Sequence, residues 1–297
     1  MALFPKIYCI IKLSELDYHQ TFSGGSQRLA KLREAKRIEL EQSHLNQQSF
    51  IQSLKEEAQR QGLEITFVNQ MEVGNLSPGP DDLVISAGGD GTFLNCAQRF
   101  SQSILLGMNS DYQPKAGVGS HGALTSINKI NLKSRMKDLA QGSYSIAEWS
   151  RLQVTINGKV IDRYAVNDIY YGQSISYRTC DILIEQCGDS EEFNCSGILC
   201  CTGMGSHAWH YNAGGSPFSN ELDAFGFRVL FPNVKRTLKF ASGILKKGQE
   251  ILITPERDGY ILSFDSSPEV IETEMGDEIR VSLAEDKAIK VISFSTP

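Results

Sequence analysis

Residues 86 to 93, SAGGDGTF, place three glycines around one aspartate directly after an apolar run. The preceding Leu83-Val84-Ile85 is typical of a buried strand, and the residues from Thr92 to Phe100 can form a helix. A glycine-rich turn between a strand and a helix directs N–H groups and the positive helix end at one point, which suits phosphate. Asp90 would then lie beside a bound phosphate, where it could accept a proton from an attacking hydroxyl.

A plainer interpretation of Asp90 is a turn aspartate that bonds its own backbone, as is common in glycine turns. That interpretation accounts for one neighbouring glycine but not for three of them after a buried strand. Glycine also lets another group approach the backbone closely. The sequence therefore favours a site that handles phosphate.

The composition narrows the class of protein. The 297 residues suffice for about two domains, and contents of 41% hydrophobic and 22% charged residues are typical of a globular chain with a sizeable core. The net charge of −6 argues against a nucleic-acid binder that relies on a broad basic surface. No run approaches the ~18 apolar residues of a membrane span. We expect neither nucleic acid nor a membrane as a partner.

The cysteines indicate a reducing compartment. There are seven of them, an odd number with no C-x-x-C pair, which favours reduced, mostly buried thiols over a disulfide framework and gives a zinc site no support. No signal or transit peptide is visible at the N-terminus. We expect a cytoplasmic protein, or one of the mitochondrial matrix if a leader was removed.

The chain changes character near residue 142. Before it, strand patterns at 6–12, 65–68, 83–86 and 104–109 alternate with helix patterns at 27–61, 92–100 and 131–141. This alternation predicts a Rossmann-like α/β domain with a parallel sheet over residues 1–142, whose ligands would bind at the carboxyl ends of the strands. After it, strand patterns dominate, with Asn157-Gly158 as a hairpin turn. We predict a mostly β domain over residues 143–297.

Gly88-Gly89-Asp90-Gly91-Thr92 resembles the signature of a superfamily of NAD kinases, diacylglycerol and sphingosine kinases and 6-phosphofructokinases. Lipid kinases of that type usually have an Asn-Glu pair just after the signature, whereas this chain continues Phe-Leu-Asn-Cys at 93–96. An Asn-acid pair comes much later, as Asn167-Asp168, which is the NAD kinase arrangement with Asp in place of the usual Glu.

Further segments resemble the NAD kinase family between about residues 80 and 215. They are Gly-Met-Asn-Ser-Asp at 107–111, the segment 196–209 and Gly214-Gly215. Most members have Asp where this chain has Ser196, Pro where it has Gly203 and Tyr where it has Trp209. These departures are similar to the divergent, mitochondrial-type branch of the family, and they put in doubt any contact that the missing Asp makes.

The resemblance implies a role for each candidate residue. Asp90 would be the catalytic base or the group that orients the hydroxyl, and Asn167 with Asp168 would hold the vicinal ribose hydroxyls. Trp209 would lie against adenine, with a core tryptophan as the alternative. Asn109 would bond the adenine or the substrate loop, or simply end its strand. The remaining nucleotide-binding candidates belong to two loops of small residues: Gly88, Gly89, Gly91 and Thr92 in the first, and Thr202, Gly205, Ser206 and Ala208 in the second.

The resemblance also implies the activity. It is that of an ATP-dependent NAD kinase, which transfers the γ-phosphoryl group of ATP to the 2′-hydroxyl of the adenosine ribose of NAD with Mg²⁺ or another divalent cation, and which forms a homodimer. We expect no protein-held metal site, and His207 and His210 lack a carboxylate motif around them. Lys115, Arg178, Lys235 and Arg236 are candidate phosphate cations or solvated surface charges.

Two other functions stay open at this stage. One is a lipid or sugar kinase of the same superfamily, and the other is a non-catalytic dinucleotide-binding regulator that has lost catalytic parts. The sequence also leaves open the preference for NAD or NADH, the use of polyphosphate in place of ATP, and feedback by NADPH.

Overall fold

The computed structural model describes residues 3–21, 25–113, 122–175, 177–233 and 238–294. The chain forms two compact units, residues 1–148 with 289–297 and residues 149–288. The helices of the described chain are α1 (Glu15–Thr21), α2 (Gly25–Ala30), α3 (Glu34–Arg60), α4 (Asp90–Arg99), α5 (Leu132–Gln141) and α6 (Trp209–Asn212).

The strands fall into an N-terminal and a C-terminal group. The first group is β1 (Ile7–Ile11), β2 (Ile65–Asn69), β3 (Leu83–Gly88), β4 (Ile104–Asn109), β5 (Ser145–Trp149), β6 (Leu152–Ile156), β7 (Lys159–Ala165), β8 (Asp168–Gly172) and β9 (Cys180–Gln186). The second group is β10 (Asp189–Cys195), β11 (Gly197–Cys201), β12 (Ala224–Leu230), β13 (Ser242–Lys246), β14 (Glu250–Pro255), β15 (Tyr260–Phe264), β16 (Val270–Thr273), β17 (Ile279–Leu283) and β18 (Ile289–Ser293).

The first unit contains one sheet with the strand order β2-β1-β3-β4-β18-β5. The pairs from β2 to β18 are parallel. Every residue of β3 and β4 is buried, as expected for central strands covered on both faces. Because parallel strands end at the same edge, the residues that follow β1, β3 and β4 lie side by side. The predicted α/β domain is confirmed.

The long helix of this unit differs from the prediction. The pattern predicted one helix over 27–61, whereas the structure ends α2 at Ala30 and begins α3 at Glu34. The buried face of α3 includes Leu40, Phe50 and Leu54, whereas the apolar side chains of Ile38 and Leu45 are exposed. Phe50, Leu54 and Ala58 belong to the same apolar cluster as residues of the sheet, so this face of α3 packs against the sheet.

The second unit consists of two six-stranded sheets in the described residues, ordered β10-β9-β14-β17-β6-β7 and β13-β12-β11-β8-β15-β16. Their pairs are antiparallel. One apolar cluster contains residues of both sheets, including Ile182 and Phe264, so the sheets pack against each other. Asn157 and Gly158 both have positive φ, 51° and 77°, which confirms the predicted hairpin turn between β6 and β7. The mostly β domain is confirmed.

The boundary between the units differs from the predicted division into 1–142 and 143–297. The first unit extends to residue 148, and residues 289–297 return to it. The reason is the pairing of β18 with β4, in which Lys290 aligns with Ile104 and Val291 with Leu105. The sequence pattern of β18 fits a buried strand of either unit. Only its pairing with β4 shows that it belongs to the first unit.

The cysteines agree with the prediction of reduced thiols. All seven lie within the described residues and are free, and six of them are buried. Burial raises the pKa of Cys96 to about 12 and the pKa of Cys201 to about 12, so these thiols stay protonated at neutral pH. Among the described helices, none combines the length and the apolar character needed to cross a bilayer.

Candidate active site

The glycine turn joins β3 to α4. Gly88 is the last residue of β3, Gly89 is the N-cap of α4 with φ −123° and ψ −166°, and Asp90 is the first helical residue. The N–H groups of Thr92 and Phe93 donate to the carbonyl of Gly89 at 3.0 and 3.1 Å. The first N–H groups of a helix have no intrahelical acceptor, so this turn is suited to an anion.

Two glycines of the turn differ in the space around them. A Cβ on Gly88 would lie 2.2 Å from Thr92 Oγ1, so the fold itself excludes a side chain there. A Cβ on Gly91 would meet no atom within 4 Å in the described chain, and Gly91 is exposed. Gly91 therefore leaves open space at the helix N-terminus, where a ligand can approach the backbone.

Asp90 is half-buried, and its carboxylate binds a backbone segment that follows β4. Oδ2 accepts the N–H groups of Gly122 and Ala123 at 3.1 and 3.2 Å, and Oδ1 accepts the N–H of Leu124 at 2.8 Å. Three backbone donors thus converge on one carboxylate. Asp90 therefore does more than bond its own turn, because it fixes the glycine turn against a neighbouring loop.

Asn109, the last residue of β4, is buried and belongs to the same arrangement. Its N–H donates to the carbonyl of Ile127 at 2.7 Å, and its side-chain Oδ1 accepts the N–H of Asp111 at 3.2 Å. Gly122 has φ +72°, and a Cβ there would lie 2.8 Å from Asn109 Nδ2. The structure thus brings Asp90 and Asn109 to one loop, and it gives Asn109 a structural role in that loop.

In the second unit, Asn167 and Asp168 lie at the start of β8. Asn167 Oδ1 is buried and has no hydrogen-bond partner among the described residues. Asp168 is 4% exposed, and burial, followed by the neighbouring Asp265 carboxylate, raises its pKa to about 7. A buried acceptor without a donor is costly unless a ligand supplies one. The pair can therefore offer both an acceptor and, when Asp168 is protonated, a donor to two neighbouring hydroxyls.

Asp265 holds this pair in place. Its Oδ1 accepts the N–H groups of Asn167 at 2.7 Å and Asp168 at 3.2 Å, and its Oδ2 accepts the N–H of Val166 at 2.9 Å. Its own N–H donates to the carbonyl of Asp168 at 2.9 Å. Asp265 has φ 50°, a region that aspartate tolerates better than most residues. Sequence reasoning missed Asp265, since it follows an ordinary strand almost a hundred residues later.

The loop of small residues after β11 packs directly on Asn167. Thr202 donates its N–H to the Asn167 carbonyl at 3.0 Å and its hydroxyl to the Val166 carbonyl at 2.5 Å. A Cβ on Gly205 would lie 1.9 Å from the Asn167 carbonyl oxygen. Ser206 Oγ accepts the N–H of Phe218 at 3.0 Å. The predicted residues Thr202 and Gly205 therefore lie against Asn167, and the hydroxyls of Thr202 and Ser206 bond the backbone around the loop.

Trp209 begins α6, directly after Ala208, and is 39% exposed. Its ring stacks on Tyr170, with centroids 5.4 Å apart and an interplanar angle of 27°. The alternative of a core tryptophan is therefore wrong. Tyr170, which sequence reasoning also missed, donates its hydroxyl to the Ser196 carbonyl at 2.8 Å. Gly197, whose added Cβ would lie 2.7 Å from Tyr170 Cε2, makes room for that ring.

A sequence profile of the ATP-NAD kinase C-terminal domain matches residues 144–294. The match covers half of the chain and includes Asn167, Asp168, Trp209 and Asp265. The chain belongs to the ATP-NAD kinase family. The recognition made from the sequence motifs is confirmed.

The relatives of this ATP-NAD kinase family member include enzymes named for either redox form of the dinucleotide. A probable NADH kinase of Oryza sativa subsp. japonica is 28% identical over 254 residues, which are 79% of this chain and 77% of that protein. The fold is similar to an NAD kinase of Archaeoglobus fulgidus solved in complex with ATP, with TM-score 0.64, 18% identity and coverage of 97% and 93% of the two chains. It is also similar to yeast NADH kinase solved with NADH, with TM-score 0.67, 19% identity and coverage of 98% and 84%.

The remaining candidates lie outside the site or outside the described residues. His207 is exposed, His210 is buried with its pKa lowered by that burial, and no cluster of three or more His, Cys, Asp or Glu that could hold a metal occurs in the described ranges. Arg178 is exposed. Lys115, Lys235 and Arg236 fall outside the described residues.

Proposed function

We propose that the protein is an ATP-dependent kinase that phosphorylates the 2′-hydroxyl of the adenosine ribose of NAD or NADH. Membership of the ATP-NAD kinase family supports the reaction. The observation that carries the assignment of the acceptor site is the buried Asn167 Oδ1, which has no partner in the part of the chain that the structure describes, next to the buried Asp168. Such a pair grips a vicinal diol, because one group accepts from a hydroxyl while the other bonds its neighbour.

The residues of the two units have separate roles in this proposal. Gly88, Gly89, Gly91 and Thr92 surround the phosphates of the donor, and Asn167 with Asp168 binds the ribose. Thr202, Gly205, Ser206 and Ala208 form the loop on which the dinucleotide rests, and Trp209, already stacked on Tyr170, supports adenine. We assign Asn109 to holding the loop that Asp90 binds.

Asp90 would act on the attacking hydroxyl. In the transfer, the 2′-oxygen forms a bond to the γ-phosphorus, the bond from that phosphorus to the β,γ-bridging oxygen breaks, and the hydroxyl proton passes to Asp90 and then to solvent. The three N–H bonds to Asp90 fix the orientation of its carboxylate. We therefore assign Asp90 chiefly to orienting the hydroxyl, which suits the loose transition state of phosphoryl transfer.

Mg²⁺ would enter with the donor. Phosphate oxygens are the usual ligands of Mg²⁺ in kinases. When bound, the ion would neutralise charge on the triphosphate.

The test is NADP or NADPH formation from NAD or NADH with ATP and Mg²⁺, for the wild type, Asp90→Asn and the control Asp138→Asn. Asp138 is a carboxylate on α5 of the same unit, paired with Arg135 at 3.1 Å. We expect turnover by the wild type and the control, and a loss of about 10²-fold or more in Asp90→Asn. The ratio of the NAD to NADH rates gives the acceptor preference. Full turnover by Asp90→Asn would reduce Asp90 to a structural residue.

The same assay distinguishes the other functions. A wild type that binds NADP but never consumes ATP would be a dinucleotide-binding regulator. A wild type that ignores NAD but phosphorylates a lipid or sugar would contradict the acceptor assignment.

We also infer a homodimer, from the resemblance alone, and a reducing compartment such as the cytoplasm, supported by the seven free thiols. Light scattering of the purified chain tests the first of these.

A further inference from the structure

We propose that Lys12 binds the phosphate chain of the phosphoryl donor, which deepens the proposed function and rests on it. Lys12 directly follows β1, at the carboxyl edge of the parallel sheet. Its N–H donates to the Ala87 carbonyl at 3.0 Å, which places it level with Gly88 on the neighbouring strand. A Cβ on Gly88 would lie 3.0 Å from Lys12 Cβ. The lysine therefore stands immediately beside the glycine turn.

A cavity of about 200 Å³ lies at this edge of the sheet. Lys12 lines it together with Gly88, Gly89, Asn109 and Ser110. All of these residues belong to the first unit, so the cavity is defined by that unit alone. The turn offers helix-terminal N–H groups and the lysine offers a charge, and the two together are what a phosphate chain requires.

The charge of Lys12 is available to a ligand. In the chain as described, no carboxylate forms an ion pair with it. Three acidic residues share the cavity, and each contacts another side chain. Glu39 pairs with Lys36 at 2.7 Å, Asp111 accepts a hydrogen bond from Ser43 at 2.6 Å, and Glu15 lies 3.9 Å from His19, which pairs with it only when the imidazole is protonated.

The backbone of Lys12 is fixed from two sides, although the side chain is exposed. Its N–H bonds the central strand β3, and the buried amide of Gln47 on α3 donates to its carbonyl. An exposed ammonium on an anchored backbone suits a phosphate chain that enters and leaves at each turnover. Lysine binds phosphate as a point charge, so arginine should replace it in part and glutamine should not.

The acidic residues of the cavity favour a particular kind of phosphate ligand. Beside Glu15, Glu39 and Asp111, a lone anion is less favoured than a phosphate chain that carries its own divalent cation. Lys12 would then bind phosphate oxygens that the cation leaves uncovered, and it would stabilise the charge that develops on the leaving diphosphate.

The experiment measures binding of inorganic tripolyphosphate with Mg²⁺ by calorimetry, since this probe has the phosphate chain of ATP but no base or sugar. The proteins are the wild type, Lys12→Gln, Lys12→Arg and the control Lys6→Gln. Lys6 is an exposed lysine that precedes β1, at the opposite edge of the sheet. NADP binding and thermal melting of each variant show that the fold is intact.

We expect Lys12→Gln to weaken tripolyphosphate binding by about tenfold or more and to lower kcat/KM for ATP by about 10²-fold, with KM for the dinucleotide unchanged. Lys12→Arg should recover part of both, and Lys6→Gln should match the wild type. Equal tripolyphosphate binding by wild type and Lys12→Gln would overturn the proposal, as would a wild type that binds none. Lys12-dependent binding without any NADP formation would instead contradict the kinase assignment and leave the phosphate site standing.

Discussion

Asp265 Oδ1 accepts the backbone N–H of Asn167 at 2.7 Å, across almost a hundred residues of sequence. The same carboxylate also accepts the N–H groups of Val166 and Asp168. Three donors thus converge on one side chain, and the backbone of the proposed ribose-binding pair is held by these bonds in the absence of a ligand. We therefore assign Asp265 to positioning the proposed acceptor site.

Replacing Asp265 by Asn should damage the acceptor site. Asparagine tolerates the left-handed backbone, but its NH₂ group would face an N–H where the carboxylate oxygen accepts one. We expect a loss of about 1–3 kcal/mol in the free energy of unfolding and an increase in KM for NAD larger than that for ATP. The checks are chemical denaturation and steady-state kinetics. The control is Asp286→Asn, because Asp286 is exposed and also has positive φ, 52°. An equal rise of both KM values would contradict a local role.

The two glycines of the phosphate turn should respond differently to alanine. Gly88→Ala places a Cβ 2.2 Å from Thr92 Oγ1 and should lower the melting temperature by several degrees, since ~1–3 kcal/mol is typical of such overpacking. Gly91→Ala meets no atom, lies in a helix and should keep or slightly raise that temperature. If phosphate occupies the open space, the stable Gly91→Ala variant should lose ATP binding, measured by calorimetry. Normal ATP binding by Gly91→Ala would place the ligand elsewhere.

Trp209 should contribute to binding of the dinucleotide through stacking. We expect Trp209→Ala to weaken NAD binding by about 5- to 150-fold, which corresponds to the 1–3 kcal/mol of a base–aromatic contact. Trp209→Phe should recover most of that affinity. The measurement is calorimetry with NADP or NAD, and Tyr211→Ala, an exposed aromatic on the same helix α6, is the control. Unchanged affinity in Trp209→Ala would show that the ring only covers Tyr170.

Asp168 should make stability fall as the pH rises. Its pKa of about 7 in the folded protein lies above the ordinary value of 3.8, so the folded state binds the proton more tightly than the unfolded state. The contribution of Asp168 to the free energy of unfolding is therefore largest below pH 3.8. It declines between pH 4 and 7 and stays low above pH 7. Asp168→Asn should remove this decline and raise the free energy of unfolding at pH 8 by an amount on the order of a few kcal/mol. Denaturation curves at pH 5 and pH 8 test this, and an equal effect of the substitution at both values would contradict it.

The sequence by itself determined the chemistry of the site and the class of the fold. The GGDGT turn lies where it was predicted, because a buried strand, a run of glycines and a helix start are local features whose geometry follows from neighbouring residues. The Asn167-Asp168 pair and the loop from Thr202 were also visible as motifs, as were the alternation of elements before residue 142 and the run of strands after it.

Only the tertiary structure decided which residues support these motifs. Asp265 accepts a hydrogen bond from Asn167, Tyr170 stacks on Trp209, and Lys12 lies beside Gly88. The sequence around Asp265, Tyr170 and Lys12 contains no motif that indicates these contacts. The return of β18 to the first sheet and the choice of the buried face of α3 were decided in the same way. The physical reason is that a glycine run or a hairpin is specified by adjacent residues. A carboxylate that accepts distant N–H groups, or a strand that chooses between two sheets, is specified by contacts that exist only once the chain has folded.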